Sequence, residues 1–129
     1  MSQIAEVTVA QSGEVHVDRV VCVVDTGVAI NPDTIVAQMQ SGIIFGITAA
    51  LWGEITLKDG RVEQSNFDNY RMLRLHEAPI IDVEVVKSSE KPGGIGEPGT
   101  SALAPAVLNA VYAATGVRLR KLPMKPECL

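Results

Sequence analysis

The architecture of the chain is set largely by residues 20–51, which read VVCVVDTGVAINPDTIVAQMQSGIIFGITAAL. The uninterrupted apolar run at residues 20–24 is typical of a strand covered on both faces. Asn31 then offers an N-cap, Pro32 suits the first helical position, and Asp33 complements the helix dipole. An apolar stripe recurs at every fourth position after this cap, at Ile35, Met39, Ile43, Ile47 and Leu51. The segment therefore predicts a strand that leads into an amphipathic helix.

A second face of this helix carries small or polar residues, namely Gln38, Gly42, Gly46 and Ala49. A glycine inside a helix costs about 1 kcal/mol relative to alanine. Two glycines on one face therefore predict a neighbour that packs very close to the backbone. That neighbour is either another helix or strand, or a bound ligand.

The flanking segments predict a small sheet. Residues 4–9 and 15–24 alternate on either side of a turn at Gly13, which is typical of a β-hairpin. Residues 54–57 and 61–64 flank the turn Lys58-Asp59-Gly60 and predict a second hairpin. Two further strands are predicted at residues 80–86 and 117–122. Residues 65–79, between the second hairpin and the next strand, show no clean period and predict a surface loop.

A second helix is predicted near the end of the chain. It begins at Thr100 or Ser101, after a loop rich in Gly and Pro at residues 88–99, and Gly116 fits its C-cap. Its apolar stripe consists of Leu103, Val107, Val111 and Ala114. Strands linked mostly by hairpins, with two main helices packed on one mixed and mostly antiparallel sheet, indicate an α+β fold.

Length and composition narrow the functional classes. A chain of 129 residues predicts one domain over residues 1–129, with a frayed tail at 124–129. The formal net charge of −4, with no basic stripe, argues against nucleic acid or an anionic membrane as a partner. Apolar residues make up 47% of the chain and the mean hydropathy is +0.20. This composition predicts either an unusually full core or a surface that meets another chain, including a second copy of this one.

Cysteine usage and targeting signals point to an intracellular protein. The two cysteines form no C-x-x-C motif, and Cys22, within an apolar run, is expected to be buried. The first ten residues lack the pattern of a signal peptide. The uncharged stretch at residues 34–53 is interrupted by polar residues and is expected to be too weakly apolar to span a bilayer. We therefore expect a soluble cytoplasmic protein, or a periplasmic one if it is exported with a partner.

The segment Gly94-Ile95-Gly96-Glu97-Pro98-Gly99 matches the letters of the dinucleotide fingerprint G-x-G-x-x-G. The fingerprint requires a strand that runs directly into the glycines, and backbone N–H groups that face a pyrophosphate. Here residues 87–92 separate the strand from the glycines, Pro98 lacks an N–H, and Glu97 would repel a phosphate. The segment does not predict a nucleotide-binding βαβ unit.

The same loop can instead place one carboxylate. Glu97 is the only residue between Lys91 and Arg118 that is charged at neutral pH, and the glycines beside it permit a close approach by other groups. A lone carboxylate in such a loop is a candidate general base if the folded protein buries it. The alternative is a solvated loop glutamate, and the residues alone leave both interpretations open.

Other candidates carry less chemistry. His16 is predicted to face solvent on a hairpin strand, and His76 with Glu77 is expected to have a structural role, because no second histidine completes an H-E-x-x-H metal site. Arg71 and Arg74 could hold an anion or form a solvated face. No G-x-S-x-G nucleophile motif is present.

Taken together, these motifs resemble a known family. The joint D-x-G…N-P at residues 25–32, the helix motif A-Q-x-x-x-G at 37–42, the segment E-Q-S-N-F at 63–67 and the loop G-x-G-E-P at 94–98 stand in that order. The chain, from about residue 4 to 123, is similar to the C-terminal part of the molybdopterin-binding large subunit of the xanthine oxidase family of molybdenum hydroxylases. The similarity is greatest to isoquinoline 1-oxidoreductase β subunits and related aldehyde dehydrogenases.

The resemblance implies a specific chemistry. The family's loop glutamate, here Glu97, acts as the base while oxygen from water is transferred to an electron-poor carbon of an N-heterocycle or aldehyde. The cofactor is the molybdenum–molybdopterin cytosine dinucleotide, whose metal takes no direct protein ligand, and electrons leave through a [2Fe-2S] small subunit. Gln38 matches the family's pterin contact, with Gly42 and Gly46 letting the cofactor lie against the helix. The remaining cofactor contacts that the resemblance implies are Gly96, Gly99, Thr100 and Ser101.

The sequence also departs from the family pattern. The family's large subunit is several-fold longer, and its other cofactor-binding half and the iron–sulfur ligands have no counterpart here. Two hypotheses follow. The chain is either the part of a molybdenum hydroxylase that carries the base and is inactive alone, or a stand-alone or vestigial domain that folds, binds or assembles without catalysis.

Overall fold

The computed structural model describes residues 1–129 and confirms the α+β class. Its elements, in chain order, are β1 Ser2–Val9, β2 Val15–Val24, α1 Pro32–Leu51, β3 Leu57–Lys58, β4 Arg61–Val62, β5 Ile80–Val85, α2 Pro98–Ser101 and α3 Leu103–Thr115. Two single 3₁₀ turns occur at Leu75–Glu77 and Pro126–Cys128. Two main helices, α1 and α3, therefore accompany a small sheet, as the sequence predicted.

The sheet has the strand order β1-β2-β5. β2 pairs with β1 in antiparallel fashion through the predicted hairpin and with β5 in parallel fashion, Arg19 opposite Ile80 and Val24 opposite Val85. Two parallel strands need a crossover connection, and α1 lies in that connection. β3 and β4 form a separate two-residue hairpin, shorter than predicted.

The apolar run of β2 is covered on one face, not on both as predicted. Val20, Cys22 and Val24 are buried, whereas Val23 on the opposite face is 38% exposed. The helices pack only on the face that carries the buried residues, so in this chain the other face has no layer over it.

The core forms where α1 and α3 meet the sheet. The N-cap of α1 is as predicted, because the side chain of Asn31 accepts a hydrogen bond from the N–H of Thr34 at 3.3 Å. The fully buried side chains include three from the α1 stripe and three from α3, namely Met39, Ile43, Ile47, Leu103, Val107 and Val111. By length and composition alone α1 could cross a membrane, contrary to the expectation from its sequence. Its stripe lies in the protein core, however, which is the arrangement of a core helix.

The C-terminal third differs from the prediction in several places. The second helix begins earlier, at Pro98, breaks at Ala102, and leaves Ala114 exposed. Gly116 caps α3 as predicted, with φ of +75°. Residues 117–122 form no strand and pair with no sheet. Arg118 instead lies over α3, with its guanidinium 3.8 Å from the ring centroid of Tyr112.

The last six residues, predicted to fray, are held against the fold. Met124 is buried, and its N–H donates to the carbonyl of Ala50 at 2.8 Å. Gly13, with φ of +84°, lies against the backbone of Pro126, where no larger residue would fit.

The chain exposes more surface than a self-contained domain of its size. Its accessible surface is 8323 Å². The size scaling of monomeric proteins gives about 6,600 Å² for 13.7 kDa, so the excess is roughly 1,700 Å². Of the two explanations for the apolar composition, an outward-facing apolar surface is the one the structure supports. Its most exposed members, each more than half accessible, are Ile4, Ile30, Phe45, Ile55, Leu57, Val62, Phe67, Leu75 and Ile80.

Candidate functional site

The loop that carries Glu97 is fixed at its beginning by the residues that follow β2. The N–H of Val28 donates to the carbonyl of Glu90, and the N–H of Gly93 donates to the carbonyl of Thr26, both at 2.9 Å. Gly27, between these two anchors, has φ of +70°, and a Cβ there would overlap the carbonyls of Glu90 and the next residue. Position 27 therefore requires glycine for two reasons: the backbone has a positive φ, and the backbone of residues 90–91 lies too close for a side chain.

The end of the loop is held by Gln38. Its Nε2 donates to the carbonyl of Gly96 at 2.6 Å, which ties α1 to the residue before Glu97. Glu97 itself precedes the first turn of α2, and its backbone carbonyl accepts from the N–H of Thr100 at 3.0 Å. Its side chain is exposed and makes no hydrogen bond or ion pair. The backbone is therefore positioned while the carboxylate remains open, and the burial expected for a general base is not provided by this chain alone.

The close neighbour of the glycine face of α1 is protein, not a ligand. An ideal Cβ on Gly42 would lie 3.3 Å from the Cα of Gly99, and one on Gly46 would lie 2.9 Å from Cδ2 of Leu103. Gly42, Gly46 and Gly99 are all buried in these contacts, whereas Ala49 is exposed. The expectation that the cofactor lies against Gly42 and Gly46 is therefore wrong, because α2 and the start of α3 already fill that space.

The hydroxyl groups of Thr100 and Ser101 have different positions. The Oγ1 of Thr100 donates to the carbonyl of Gly42 at 3.0 Å and so joins α2 to α1. The Oγ of Ser101 donates to the carbonyl of Pro98 at 3.2 Å, and this side chain is exposed. Only Ser101 of this pair has a side chain that faces outward.

A residue that the sequence reasoning missed also holds the loop. The Nε2 of Gln3, on β1, donates to the carbonyl of Gly99 at 3.0 Å, across 96 positions of sequence. The signal was its position on an alternating strand, since Gln3 shares the inward face of β1 with the buried Ala5. A polar side chain at an inward position predicts a specific partner, although the strand alone does not identify it.

The histidine on the hairpin occupies a surface position, as predicted. The ring Nδ1 of His16 lies 2.9 Å from Oδ1 of Asp18, and both side chains are exposed. The hydroxyl of Thr8 donates to Asp18 and, together with His16, lowers the pKa of that carboxyl. Thr8, His16 and Asp18 therefore form a small polar cluster on the surface of the β1–β2 hairpin, far in sequence from the loop of Glu97.

The arginine and histidine candidates near residue 74 form a local structural cluster. The guanidinium of Arg71 lies 4.1 Å from the ring centroid of Trp52 and pairs with Glu77 at 2.7 Å. The N–H of Arg74 donates to the same carboxylate at 2.9 Å and is the main cause of the lowered pKa of Glu77. Because Glu77 already pairs with Arg71, this cluster is satisfied internally, while the side chains of Arg74 and His76 are exposed.

A cleft of about 270 Å³ lies beside this cluster, between the β1–β2 hairpin and the end of α1 at Trp52. Gln38 lies fourteen residues before Trp52, the C-cap of α1, which corresponds to about 21 Å along the helix axis at 1.5 Å per residue. The cleft is therefore separate from the loop of Glu97. No group of three or more His, Cys, Asp or Glu residues is placed to hold a metal ion.

The residues around Glu97 fit one wall of a site for a large polar cofactor. A Cβ on Gly94 or on Gly96 would meet no atom within 4 Å, so the backbone here is open to a close approach. Gln38 is exposed, and its amide oxygen makes no hydrogen bond within the chain. Open backbone groups, an amide and an outward hydroxyl match the many donors and acceptors of a pterin.

Comparison with known proteins identifies the chain as part of a molybdenum-cofactor-binding domain. The chain matches the model of the molybdopterin cofactor-binding domain over residues 1–79, more than half of its length. It therefore belongs to that family. The family match ends before the loop of Glu97, whereas the similarity to individual relatives continues past it.

The similar proteins are bacterial oxidoreductases. The chain is 41% identical over 110 residues to the isoquinoline 1-oxidoreductase β subunit of Brevundimonas diminuta, covering 85% of this chain and 14% of the relative. It is 38% identical over 122 residues to a membrane-bound aldehyde dehydrogenase [pyrroloquinoline-quinone] of Gluconacetobacter polyoxogenes, covering 88% of this chain and 16% of the relative. It is 33% identical to a nicotinate dehydrogenase subunit from Pseudomonas putida, covering 96% of this chain and 11% of the relative.

A solved structure shares the fold. Quinoline 2-oxidoreductase from Pseudomonas putida 86 superposes with a TM-score of 0.76 and 27% identity, over 92% of this chain and 16% of that one. The chain thus spans about one sixth or less of the length of the proteins it matches. It is part of a molybdenum-cofactor-binding domain of the xanthine oxidase type, and the resemblance based on its motifs is confirmed.

Proposed function

We propose that this chain supplies the catalytic base and one wall of the cofactor site in an enzyme that hydroxylates an N-heterocycle or an aldehyde with oxygen from water. The observation that carries the proposal is Glu97, an open carboxylate whose flanking backbone is fixed by Gln38 at 2.6 Å. The names of the relatives support the substrate class, since they include isoquinoline, nicotinate and aldehyde enzymes.

The proposed cofactor is the molybdenum–molybdopterin cytosine dinucleotide. When bound, it supplies a Lewis acid and accepts two electrons from the substrate. Gln38 would bind it through the amide oxygen that has no partner in the chain, and Ser101 through its outward hydroxyl. Gly96 would offer open backbone, whereas Gly42, Gly99 and Thr100 would support this wall from behind.

Glu97 would act at the reacting oxygen. Its carboxylate accepts the proton of the water-derived hydroxyl, which makes that oxygen a better nucleophile toward an electron-poor carbon. The exposed position in this chain means that the missing wall must close over Glu97 and exclude water. A base needs such closure because solvent would otherwise compete for its proton.

The same requirement implies partners. We propose that the outward apolar surface packs against the remaining portion of the large subunit, and that a [2Fe-2S] subunit carries the electrons away. The excess surface of roughly 1,700 Å² is about twice one partner's share of a standard protein interface, which leaves room for both. We also propose a cytoplasmic location, in line with the two cysteines that form no disulfide. An antibody against the chain would test this by cell fractionation.

The test of the proposed base uses the chain assembled with these partners. Glu97→Gln keeps the size and polarity of the side chain but cannot accept the proton, so hydroxylation should be lost while the molybdenum content stays unchanged. Glu90→Gln is the matched control, because Glu90 is another exposed carboxylate of the same loop and should retain activity. Loss of the cofactor in Glu97→Gln would assign Glu97 a structural role, and full activity would exclude it as the base.

The cofactor and the chain's dependence on partners are tested separately. Release of cytidine monophosphate and of molybdenum from the purified complex would support the proposed cofactor, whereas release of a quinone alone would contradict it. The quinone measurement matters because one relative's name specifies pyrroloquinoline quinone. Turnover by the purified chain alone would refute the need for partners, and a complex with no cofactor would favour a domain that only binds or assembles.

A further inference from the structure

We propose that Gln3 is a positioning residue for Glu97, acting through the carbonyl of Gly99. The inference rests on the proposed role of Glu97 as base. It adds a residue on β1, far from the loop in sequence, to the parts of the chain that fix the backbone carrying this carboxylate.

The contact itself has a defined orientation. The Nε2 of Gln3 donates to the carbonyl oxygen of Gly99 at 3.0 Å. Only the NH₂ end of an amide can face a carbonyl, so the reversed orientation is excluded by chemistry. The Oε1 of Gln3 is buried and has no hydrogen-bond partner.

A hydrogen bond to the carbonyl of Gly99 can fix the backbone position of Glu97 because α2 is so short. α2 spans only Pro98–Ser101, and Glu97 directly precedes it. The buried Gly99 lies against α1, with its ideal Cβ position 3.1 Å from the carbonyl oxygen of Met39 and 3.4 Å from the Cα of Gly42. A shift of this turn therefore moves Glu97 with it.

Two glutamines from different elements together bracket Glu97. Gln38 of α1 holds the carbonyl of Gly96 before it, and Gln3 of β1 holds the carbonyl of Gly99 after it. With both bonds in place, the backbone at Glu97 is fixed on either side. Without Gln3, the turn keeps its contacts with α1 through Gly99 and the Thr100 hydroxyl but loses its only hydrogen bond to β1.

Hydrogen exchange of the chain tests the positioning without any cofactor. Gln3→Leu removes the donor and should raise the exchange rates of amides in residues 97–101 by about 3- to 10-fold, the effect of losing one hydrogen bond. Gln11→Leu is the matched control, because Gln11 lies exposed in the hairpin turn and should leave those rates unchanged. Unchanged exchange at 97–101 in Gln3→Leu would overturn the proposal, whatever the effect on overall stability.

A second variant reports on the chemistry of the contact. In Gln3→Glu the protonated acid can donate to Gly99, whereas the ionised form repels its carbonyl. In the assembled enzyme we expect turnover to fall by about tenfold or more at neutral pH, with normal molybdenum content, and to recover relative to wild type as pH falls. The ionisable groups next to this position are the thiol of Cys22 and the amino group of Met1, and both remain in every variant.

The outcomes separate this proposal from the proposed function. If exchange rises in Gln3→Leu but Glu97→Gln retains activity, Gln3 positions the turn and Glu97 is not the base. If turnover of Gln3→Glu falls equally at all pH values, the contact acts only on stability and the positioning proposal fails.

Discussion

Replacement of Gly46 tests whether protein or ligand packs on the glycine face of α1. In Gly46→Val the new Cβ would start 2.9 Å from Cδ2 of Leu103 and 3.1 Å from the carbonyl oxygen of Thr100. Leu103 is fully buried and the Thr100 oxygen belongs to the backbone, so neither can move away without disturbing the core. Overpacking of this kind costs about 1–3 kcal/mol. Valine recovers roughly 0.4 kcal/mol of helix propensity relative to glycine, which leaves a net loss of roughly 0.6–2.6 kcal/mol.

Thermal and urea unfolding of the chain, followed by circular dichroism, measure this loss. For a chain of this size we expect Tm to fall by roughly 2–10 °C. Ala49→Val is the matched control, since Ala49 is exposed on the same helix and the change there alters mainly helix propensity, by about 0.5 kcal/mol. A Gly46→Val chain as stable as wild type, or more stable, would refute the packing argument and favour a bound ligand as the neighbour of this face of α1.

Two further predictions concern ionisable groups. The N–H of Arg74 lowers the pKa of Glu77 in the folded chain. The ionised carboxylate therefore stabilises the fold above its unfolded pKa of about 4.3, and this stabilisation is lost as pH falls through the lower folded value. In urea unfolding, Glu77→Gln should therefore flatten the decline in stability below about pH 4. A decline as steep as wild type would contradict this. Burial of the Cys22 thiol raises its pKa, whereas Cys128 is exposed. A thiol reagent should therefore modify Cys128 rapidly and Cys22 only in denaturant. Cys128→Ser should remove the rapid phase, and two rapid thiols would show that the core opens readily.

Features encoded by adjacent residues could be predicted from the sequence. The N-cap at Asn31 and the C-cap at Gly116 depend on backbone geometry within one turn of a helix. The hairpin turn at Asp59 and Gly60 has φ of +50° and +76°, a conformation that these residue types favour. Its contiguous loop motif and the family resemblance also make Glu97 a candidate base, a role that stays a prediction.

Features that join distant residues could not be predicted. The partner of Gly42 is Gly99, and nothing in either residue's neighbourhood identifies the other. The same holds for Gln3 and the carbonyl of Gly99. The predicted strand at 117–122 was wrong for a related reason: a strand needs a partner elsewhere in the chain, and no strand of this fold pairs with these residues.

The mixed sheet has a consequence for the order in which the chain folds. β1 and β2 are joined by five residues, whereas the 55 residues from 25 to 79 separate β2 from its parallel partner β5. Closing the longer loop costs about 2 kcal/mol more in chain entropy, so the hairpin should form early and β5 should dock late. The bonds that fix the beginning of the Glu97 loop, such as Gly93 to Thr26, lie just beyond that late contact. The candidate site is therefore completed only when the rest of the sheet is in place, and a chain that releases β5 by local unfolding loses the site before it loses the hairpin.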